Sequence, residues 1–296
     1  MSHTQTGSQR YIEAFLEVPR DLSDAVCNFI IENFTNGIVL EEEENSPVTG
    51  IRFYVTDDSR NTYSGRLISY LRNLDRFSPN SLPEISEREV SALSWEEEYR
   101  KSIPVVHVGP DIVIRPPWLT LEAPSKFELV IEPKMAFGTG RHETTVSCLD
   151  AVHQHFKPGT RLLDIGCGSG ILSILAAKMG ASFIKAVDYD LTAVENAREN
   201  FAINKVDCPF DIQFGSLEKA AEDTPYDFVV ANIIKSTILD MLDGLVAATH
   251  RPGILVLSGL LDKDEPDMSQ AMNQRGLSDF SVMPNSEWRT YIIRLR

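Results

Sequence analysis

Apolar residues recur along the chain with two periods, and the switches between them predict the elements. Arg10 to Val18, RYIEAFLEV, is mainly apolar with polar breaks and stops at Pro19, the pattern of a strand. From Asp21 to Phe34 the apolar positions Leu22, Ala25, Val26, Phe29, Ile30 and Phe34 share a helix face. Asp21 or Ser23 can cap that helix, and Asn36-Gly37 ends it. Ile38 to Leu40 and Ile51 to Val55 read as β-branched strands joined by an acidic turn. Tyr63 to Leu74 returns to helical spacing, and Glu84 to Val90 alternates as a last strand.

Beyond the prolines at 79, 83 and 104 the pattern changes. Val105 to Val108, Ile112 to Arg115 and Phe127 to Ile131 are short extended segments between prolines, expected to precede a main sheet. Val146 to His155 is expected to be helical, with Thr144 or Thr145 as its cap. Leu162 to Ala177 then reads LLDIGCGSGILSILAA: an apolar strand, a turn with three glycines, and a helix. From there strands and helices alternate: strand Phe183 to Val187, helix Thr192 to Asn204, strand Phe210 to Phe214, helix Leu217 to Glu222, strand Phe228 to Ala231, helix Thr237 to Ala248, strand Ile254 to Ser258. Phe280 to Met283 and Arg289 to Arg294 close the chain as an expected antiparallel pair.

The first half thus has the order β-α-β-β-α-β, that of a ferredoxin-like unit, and the second half is a parallel α/β pattern. The expected organisation is a small α+β domain over 1–92, a charged linker over 93–104 containing Trp95, and an α/β domain over 105–296.

Composition narrows the setting. The 296 residues carry a formal net charge of −15, which disfavours a surface gripping naked nucleic acid. Residues 1–90 hold 15 Asp and Glu against eight Arg and no Lys, so the Glu41 to Glu44 run is either a solvated hairpin or a docking face for a lysine-rich partner. Four scattered cysteines with no CxxC pair argue against a disulfide scaffold or a zinc site, and no metal ligand set is expected. The polar start and the lack of a long apolar run predict a cytoplasmic protein without a membrane span.

Candidate chemistry centres on the glycine turn. Gly166, Gly168 and Gly170 can take positive φ and let the backbone approach a ligand at a helix N-terminus. Asp164 precedes the first glycine by two residues, and the next strand ends at Asp188, at the distance where a carboxylate meets a ribose. Met135 to Thr145, MAFGTGRHETT, is expected to be a loop closing over the ligand. Asn232 falls at the carboxyl edge of its strand, where open α/β sheets bind ligands.

Together these features resemble the seven-stranded S-adenosylmethionine-dependent methyltransferases, whose first motif matches Leu163 to Gly170. The 135–145 loop, Val187-Asp188-Tyr189-Asp190, Gly215-Ser216-Leu217 and Ala231-Asn232-Ile233 resemble one family in particular: PrmA, the methyltransferases of ribosomal protein L11. The resemblance implies a seven-stranded Rossmann-like methyltransferase domain behind a ferredoxin-like substrate-recognition domain, and a monomer acting on lysine or N-terminal amines. By position it implies that Thr145, Gly166, Asp188 and Asn232 contact S-adenosylmethionine, with Phe137, Thr139, Gly140, His142, Asp164, Gly168, Ser216 and Leu217 around them, and that Asn232 is catalytic.

The sequence after Asn232 is Ile233-Ile234-Lys235, without the Pro-Pro-aromatic run common in enzymes acting on planar nitrogens. No aromatic platform is therefore expected, and an aliphatic amine is the expected acceptor. The competing readings are a methyltransferase for another protein's lysines, a nicotinamide-dependent dehydrogenase, and a cofactor-binding sensor without turnover.

Overall fold

The computed structural model describes residues 10–34, 38–41, 46–56, 60–74, 82–91, 100, 103–121, 123–133, 140–220 and 224–296. The chain divides into two units between Ile103 and Pro104. Glu42 to Glu44, Trp95 and most of the charged segment around it lie outside the described residues.

In the first unit the order is β1 (Arg10–Pro19), α1 (Ser23–Asn33), β2 (Ile38–Glu41), β3 (Val48–Thr56), α2 (Arg60–Arg72) and β4 (Ser86–Ser91). The strands form one antiparallel sheet in the order β2-β3-β1-β4. Alternation decides which face is buried: Ile12, Ala14, Leu16 and Val18 of β1 join Ile51, Phe53 and Val55 of β3 against Val26, Ile30, Tyr63 and Leu67 of the helices. On the other face Glu13 is buried between Arg52 at 2.7 Å, Arg88 at 3.0 Å and the Tyr54 hydroxyl at 3.1 Å. Burial raises the Glu13 pKa, but hydrogen bonds from Arg88 and Tyr54 and the charge of Arg52 leave it lowered overall. Ser23 does not cap α1. Its hydroxyl donates to the Arg20 carbonyl at 2.8 Å, because a 3-10 turn over Arg20–Leu22 precedes the helix.

The second unit opens with a three-stranded sheet of β5 (Val106–Val108), β6 (Ile112–Arg115) and β7 (Phe127–Val130). Helix α3 (Glu143–His155) leads to a seven-stranded sheet in the order β10-β9-β8-β11-β12-β14-β13. Its strands are β8 (Arg161–Ile165), β9 (Phe183–Asp188), β10 (Phe210–Phe214), β11 (Tyr226–Asn232), β12 (Thr249–Leu261), β13 (Phe280–Asn285) and β14 (Trp288–Leu295). Between them run α4 (Ile171–Lys178), α5 (Leu191–Ile203), α6 (Lys235–Ala248) and α7 (Glu265–Gln274). The first five strands in chain order are parallel; β14 is antiparallel to β12 and to β13. Helices cover both faces, so each central strand is apolar on both sides. Leu162 and Val230 point into one core, Leu163 and Val229 into the other.

Two elements differ from expectation. The segment after Ser216 is a 3-10 turn, Leu217–Lys219, rather than a helix reaching Glu222, and 221–223 lie outside the described residues. Helix α7 is unforeseen in the sequence because only Met268, Ala271 and Met272 of its ten residues are buried. Chain order reverses between β8 and β11, so their carboxyl ends flank the crevice where open α/β sheets hold ligands. No helix among the described residues is long and apolar enough to cross a membrane.

Candidate active site

The glycine turn occupies the carboxyl end of β8, and all three glycines have positive φ: 70° at Gly166, 53° at Gly168 and 79° at Gly170. A Cβ at Gly166 would collide with Cγ2 of Ile233, so the absent side chain lets β11's end close on the turn. The sequence suggested that these amides face a ligand. Instead they bond within the protein: Gly166 and Cys167 donate to the Val187 carbonyl at 2.9 and 3.1 Å, and Gly170 donates to Cys167 at 2.8 Å. The Gly168 amide donates to Oδ2 of Asp188 at 2.8 Å.

Carboxylates replace those donors as the polar feature of the turn. Asp164 is buried; its Oδ2 accepts from the Ser173 hydroxyl at 2.7 Å, and the Ser173 amide in the first turn of α4 also bonds to it. The helix N-terminus, the usual seat for a phosphate, therefore holds the protein's own carboxylate. Burial pushes the Asp164 pKa up to about 7, beyond what the Ser173 bonds recover, and the Asp188 charge pushes the same way. Its Oδ1 has no hydrogen-bond partner among the described residues. Asp188 is half-buried, and its Oδ1 accepts from the Asp190 amide at 2.9 Å. Each Asp188 oxygen keeps acceptor capacity beyond these single bonds.

The segment before α3 converges on the same edge. A Cβ at Gly140, at φ 86°, would strike Ile114 and approach Ile171 at the start of α4, so this turn packs on the helix that follows the glycines. The cap of α3 is His142, not Thr144 or Thr145: its Nδ1 accepts from the Thr144 amide at 3.2 Å and lies 2.8 Å from the Thr144 hydroxyl. Both threonines are inside the helix and buried, and the Thr145 Oγ1 has no partner among the described residues. Phe137 and Thr139 lie outside the described residues.

Ser216 is drawn beside Asp188, since the adjoining Gly215 amide donates to the Asp188 carbonyl at 2.8 Å. The Leu217 side chain packs toward Gly244 of α6, leaving its backbone at the edge. Exposed Tyr189 and Phe214 form a ring pair beside them with centroids 5.5 Å apart.

Across Asn232 lies a cavity of about 400 Å³ lined by His142, Asn232, Ile233, Lys235, Leu261 and Trp288, among others. Leu261 and Trp288 are register partners, placed there because β12 extends past a bulge between Leu257 and Leu260. Gly259, at φ 86°, permits that bulge; a Cβ there would run into the Ile233 carbonyl. The expectation of no aromatic wall beside Asn232 is thus corrected. Trp288 arrives from a strand 56 positions away, and no local pattern after Asn232 could announce it. At the cavity edge Lys235 Nζ pairs with Asp264 at 2.8 Å and Asp267 at 3.0 Å.

Residues 10–296 match the family model described as ribosomal protein L11 methyltransferase (PrmA). The chain is similar to a ribosomal protein L11 methyltransferase of Nitratiruptor, 34% identical over 274 residues that cover 92% of this chain and 91% of the relative. A second, from Myxococcus xanthus, is 34% identical over 292 residues, 95% of this chain and 97% of the relative. The crystal structure of a ribosomal protein L11 methylase from Lactobacillus delbrueckii subsp. bulgaricus superposes with a TM-score of 0.60 at 28% identity, over 65% of this chain and 99% of that one.

Proposed function

This chain belongs to the ribosomal protein L11 methyltransferase family, and on that premise we propose that the carboxyl edge between β8 and β11 is its methyl-transfer site. The protein is an S-adenosylmethionine-dependent methyltransferase of ribosomal protein L11, and we take lysine side-chain and N-terminal amines as its acceptors. Membership in that family sets aside the nicotinamide-dependent dehydrogenase.

The observation that carries the cofactor site is the charge character of the glycine turn. S-adenosylmethionine carries a sulfonium and an α-ammonium but no phosphate. The turn spends the amides of Gly166, Cys167, Gly168 and Gly170 internally and holds a buried carboxylate with one oxygen that has no partner among the described residues. Such a site suits a cation and lacks what a pyrophosphate needs. Asp164 then receives the ammonium end, Asp188 accepts ribose hydroxyls with its remaining lone pairs, and Gly166 admits close approach of the methionine part. The Thr145 hydroxyl supplies a further buried partner. Ser216 and the Leu217 backbone face the adenine end, with Gly140 and His142 beside the methionine end and Phe137 and Thr139 in the loop that completes it.

When bound, the cofactor supplies an electrophilic methyl group on sulfur. The chain's own work is to present a neutral amine in line and to exclude water. A lysine amine has a reference pKa near ~10.4 and must lose a proton first; an apolar cavity favours the neutral form. The side-chain carbonyl of Asn232, which lines the cavity, accepts a hydrogen from that amine and aims its lone pair. No strong general base is needed, since solvent removes the proton at entry.

We read the β-α-β-β-α-β unit over 1–92 as a ferredoxin-like substrate-recognition domain, joined through 93–104 to a Rossmann-like seven-stranded domain over 105–296. The acidity of residues 1–90 suits a lysine-rich partner. A monomer of the cytoplasm that binds no DNA fits the net charge of −15 and the four free cysteines. Calorimetric titration tests the cofactor site: S-adenosylmethionine binds and NADH does not. NADH binding at comparable affinity would contradict the assignment.

A further inference from the structure

Behind the glycine turn, helix α5 carries a stripe of asparagines. Asn196 and Asn200 are buried within the helix and Asn204 follows its last residue, so steps of four put all three on one side. Asparagine is a poor helix former, and a buried amide must find partners. Here the partners are backbone groups of an extended segment. β7 is an outer strand of its sheet, and the Phe127 and Ile131 amides bond toward β6, to the Asp111 and Arg115 carbonyls at 2.9 Å each. The alternate residues, Val130 and Glu132, are met by α5 instead. Asn204 accepts from the Val130 amide at 3.0 Å and donates to the Val130 carbonyl at 2.6 Å. Oδ1 of Asn200 accepts from the Glu132 amide at 2.9 Å, and Asn196 donates to the Glu132 carbonyl at 3.5 Å. The side chains do for this edge what a further strand would do.

Asn200 also reaches the turn. With Oδ1 committed to the Glu132 amide, its Nδ2 donates to the Ser169 carbonyl at 2.9 Å and to Asn196 at 3.3 Å. The turn lies directly on this part of α5: a Cβ at Gly170 would come within 3.1 Å of Phe201 and 3.2 Å of Ala197. Resting on the reading of the glycine turn as the cofactor site, we infer that Asn200 is a positioning residue for S-adenosylmethionine, whose side-chain amide couples the turn to the Val130–Glu132 segment.

Asn200 is wholly buried behind the turn and acts through it. Ser169 follows Gly168, whose amide donates to Oδ2 of Asp188 at 2.8 Å. A Ser169 carbonyl held from behind keeps that bond aligned and leaves the remaining lone pairs of Asp188 aimed at the ribose. Three alternate glycines give the turn little stiffness of its own, so a bond from outside decides its shape. Asp188 in turn accepts from the Asp190 amide, where α5 begins. The helix therefore meets the ribose carboxylate at its start and the turn at its middle. Such coupling runs both ways: if Asn200 steadies the turn for the cofactor, an occupied turn steadies the bond from Glu132 to Asn200.

The test is calorimetric titration with S-adenosylmethionine, with steady-state kinetics on ribosomal protein L11 for each variant. Asn200→Ala improves helix propensity while removing the bond to the turn; it should weaken cofactor binding about tenfold and leave KM for L11 within about twofold. Asn200→Asp keeps the acceptor for the Glu132 amide but loses the donor to Ser169, and should weaken cofactor binding by at least as much. Asn204→Ala gives up the bonds to Val130 and none to the turn; it should lower Tm and keep cofactor affinity within about twofold. Amide exchange in the wild-type protein serves even if the Asn200 variants do not fold. Saturation with S-adenosylmethionine should slow exchange of the Glu132 amide at least about threefold more than that of the Phe127 amide, which bonds on the strand's other edge. Wild-type cofactor affinity in both Asn200 variants, an equal loss of affinity in Asn204→Ala, or equal slowing at Glu132 and Phe127 would each overturn the proposal. Failure of the wild-type protein to bind S-adenosylmethionine would instead overturn the reading on which it rests.

Discussion

On one side of Asn232 the glycine turn is polar, acidic and closed on itself; on the other side the cavity is apolar and assembled from distant strands. The turn runs from Asp164 to Gly170 in one stretch, and its bonds to Val187 and Asp188 reach only to the neighbouring strand. The cavity draws on His142, Asn232, Leu261 and Trp288, which the chain brings together only through a β-bulge and an antiparallel hairpin. A cofactor that many enzymes share can be met by a local motif. On the proposed assignment, the acceptor is met by what the outer strands contribute.

This contrast can be broken most forcefully at Asp188. Replacing it by Ala removes the acceptor for the Gly168 amide as well as the proposed ribose contact, and charge-assisted bonds of this kind contribute about 1.5–3 kcal/mol each. S-adenosylmethionine affinity should fall by about 100-fold in titration, with the cavity side unaffected. Gly166→Ala comes next. It places a Cβ at positive φ and against Ile233, so a loss of about 2 kcal/mol in denaturant unfolding and weaker cofactor binding are expected.

The acidic character of the turn gives a pH signature. With Asp164 raised to about 7, binding a cation there needs the ionised carboxylate and releases a proton. Affinity for S-adenosylmethionine should weaken by about tenfold from pH 7 to pH 5.5, and Asp164→Asn should flatten the profile. For stability the sign is opposite. A carboxyl raised in the folded state stabilises most below its unfolded value of about 4, and that contribution is lost as pH rises through about 7. The difference in Tm between Asp164→Asn and wild type should accordingly grow in the variant's favour from pH 5 to pH 8. The smallest effect is expected at His142→Ala, which removes the cap of α3 and one ring lining the cavity: about 1 kcal/mol of stability, read by thermal melting.

How much of this was legible in the sequence follows the same division. The central strands read as continuous apolar runs because both faces are buried, and Gly166, Asp188 and Asn232 stood at strand ends where the parallel pattern put them. What the amides of the turn bond to was not legible, since glycine spacing permits a ligand contact and an internal bond equally. His142 was visible as a residue but not as a cap, because Thr144 and Thr145 are the commoner capping types and outcompete it on propensity. Helix α7 escaped notice for want of apolar residues, and Trp288 for want of any local link to Asn232. Sequence reasoning recovers what neighbours in the chain determine, and it misses what the outer strands bring from afar.

The most direct test is intact-mass spectrometry of ribosomal protein L11 incubated with S-adenosylmethionine and either the wild-type protein or Asn232→Ala, each first shown to be folded. The account predicts additions of about 14 Da per methyl with the wild type and at least about a 100-fold slower reaction with the variant, the scale of effect expected when a positioning contact at the reacting atoms is lost. Equal methylation by both proteins would contradict the placement of the transfer site at Asn232.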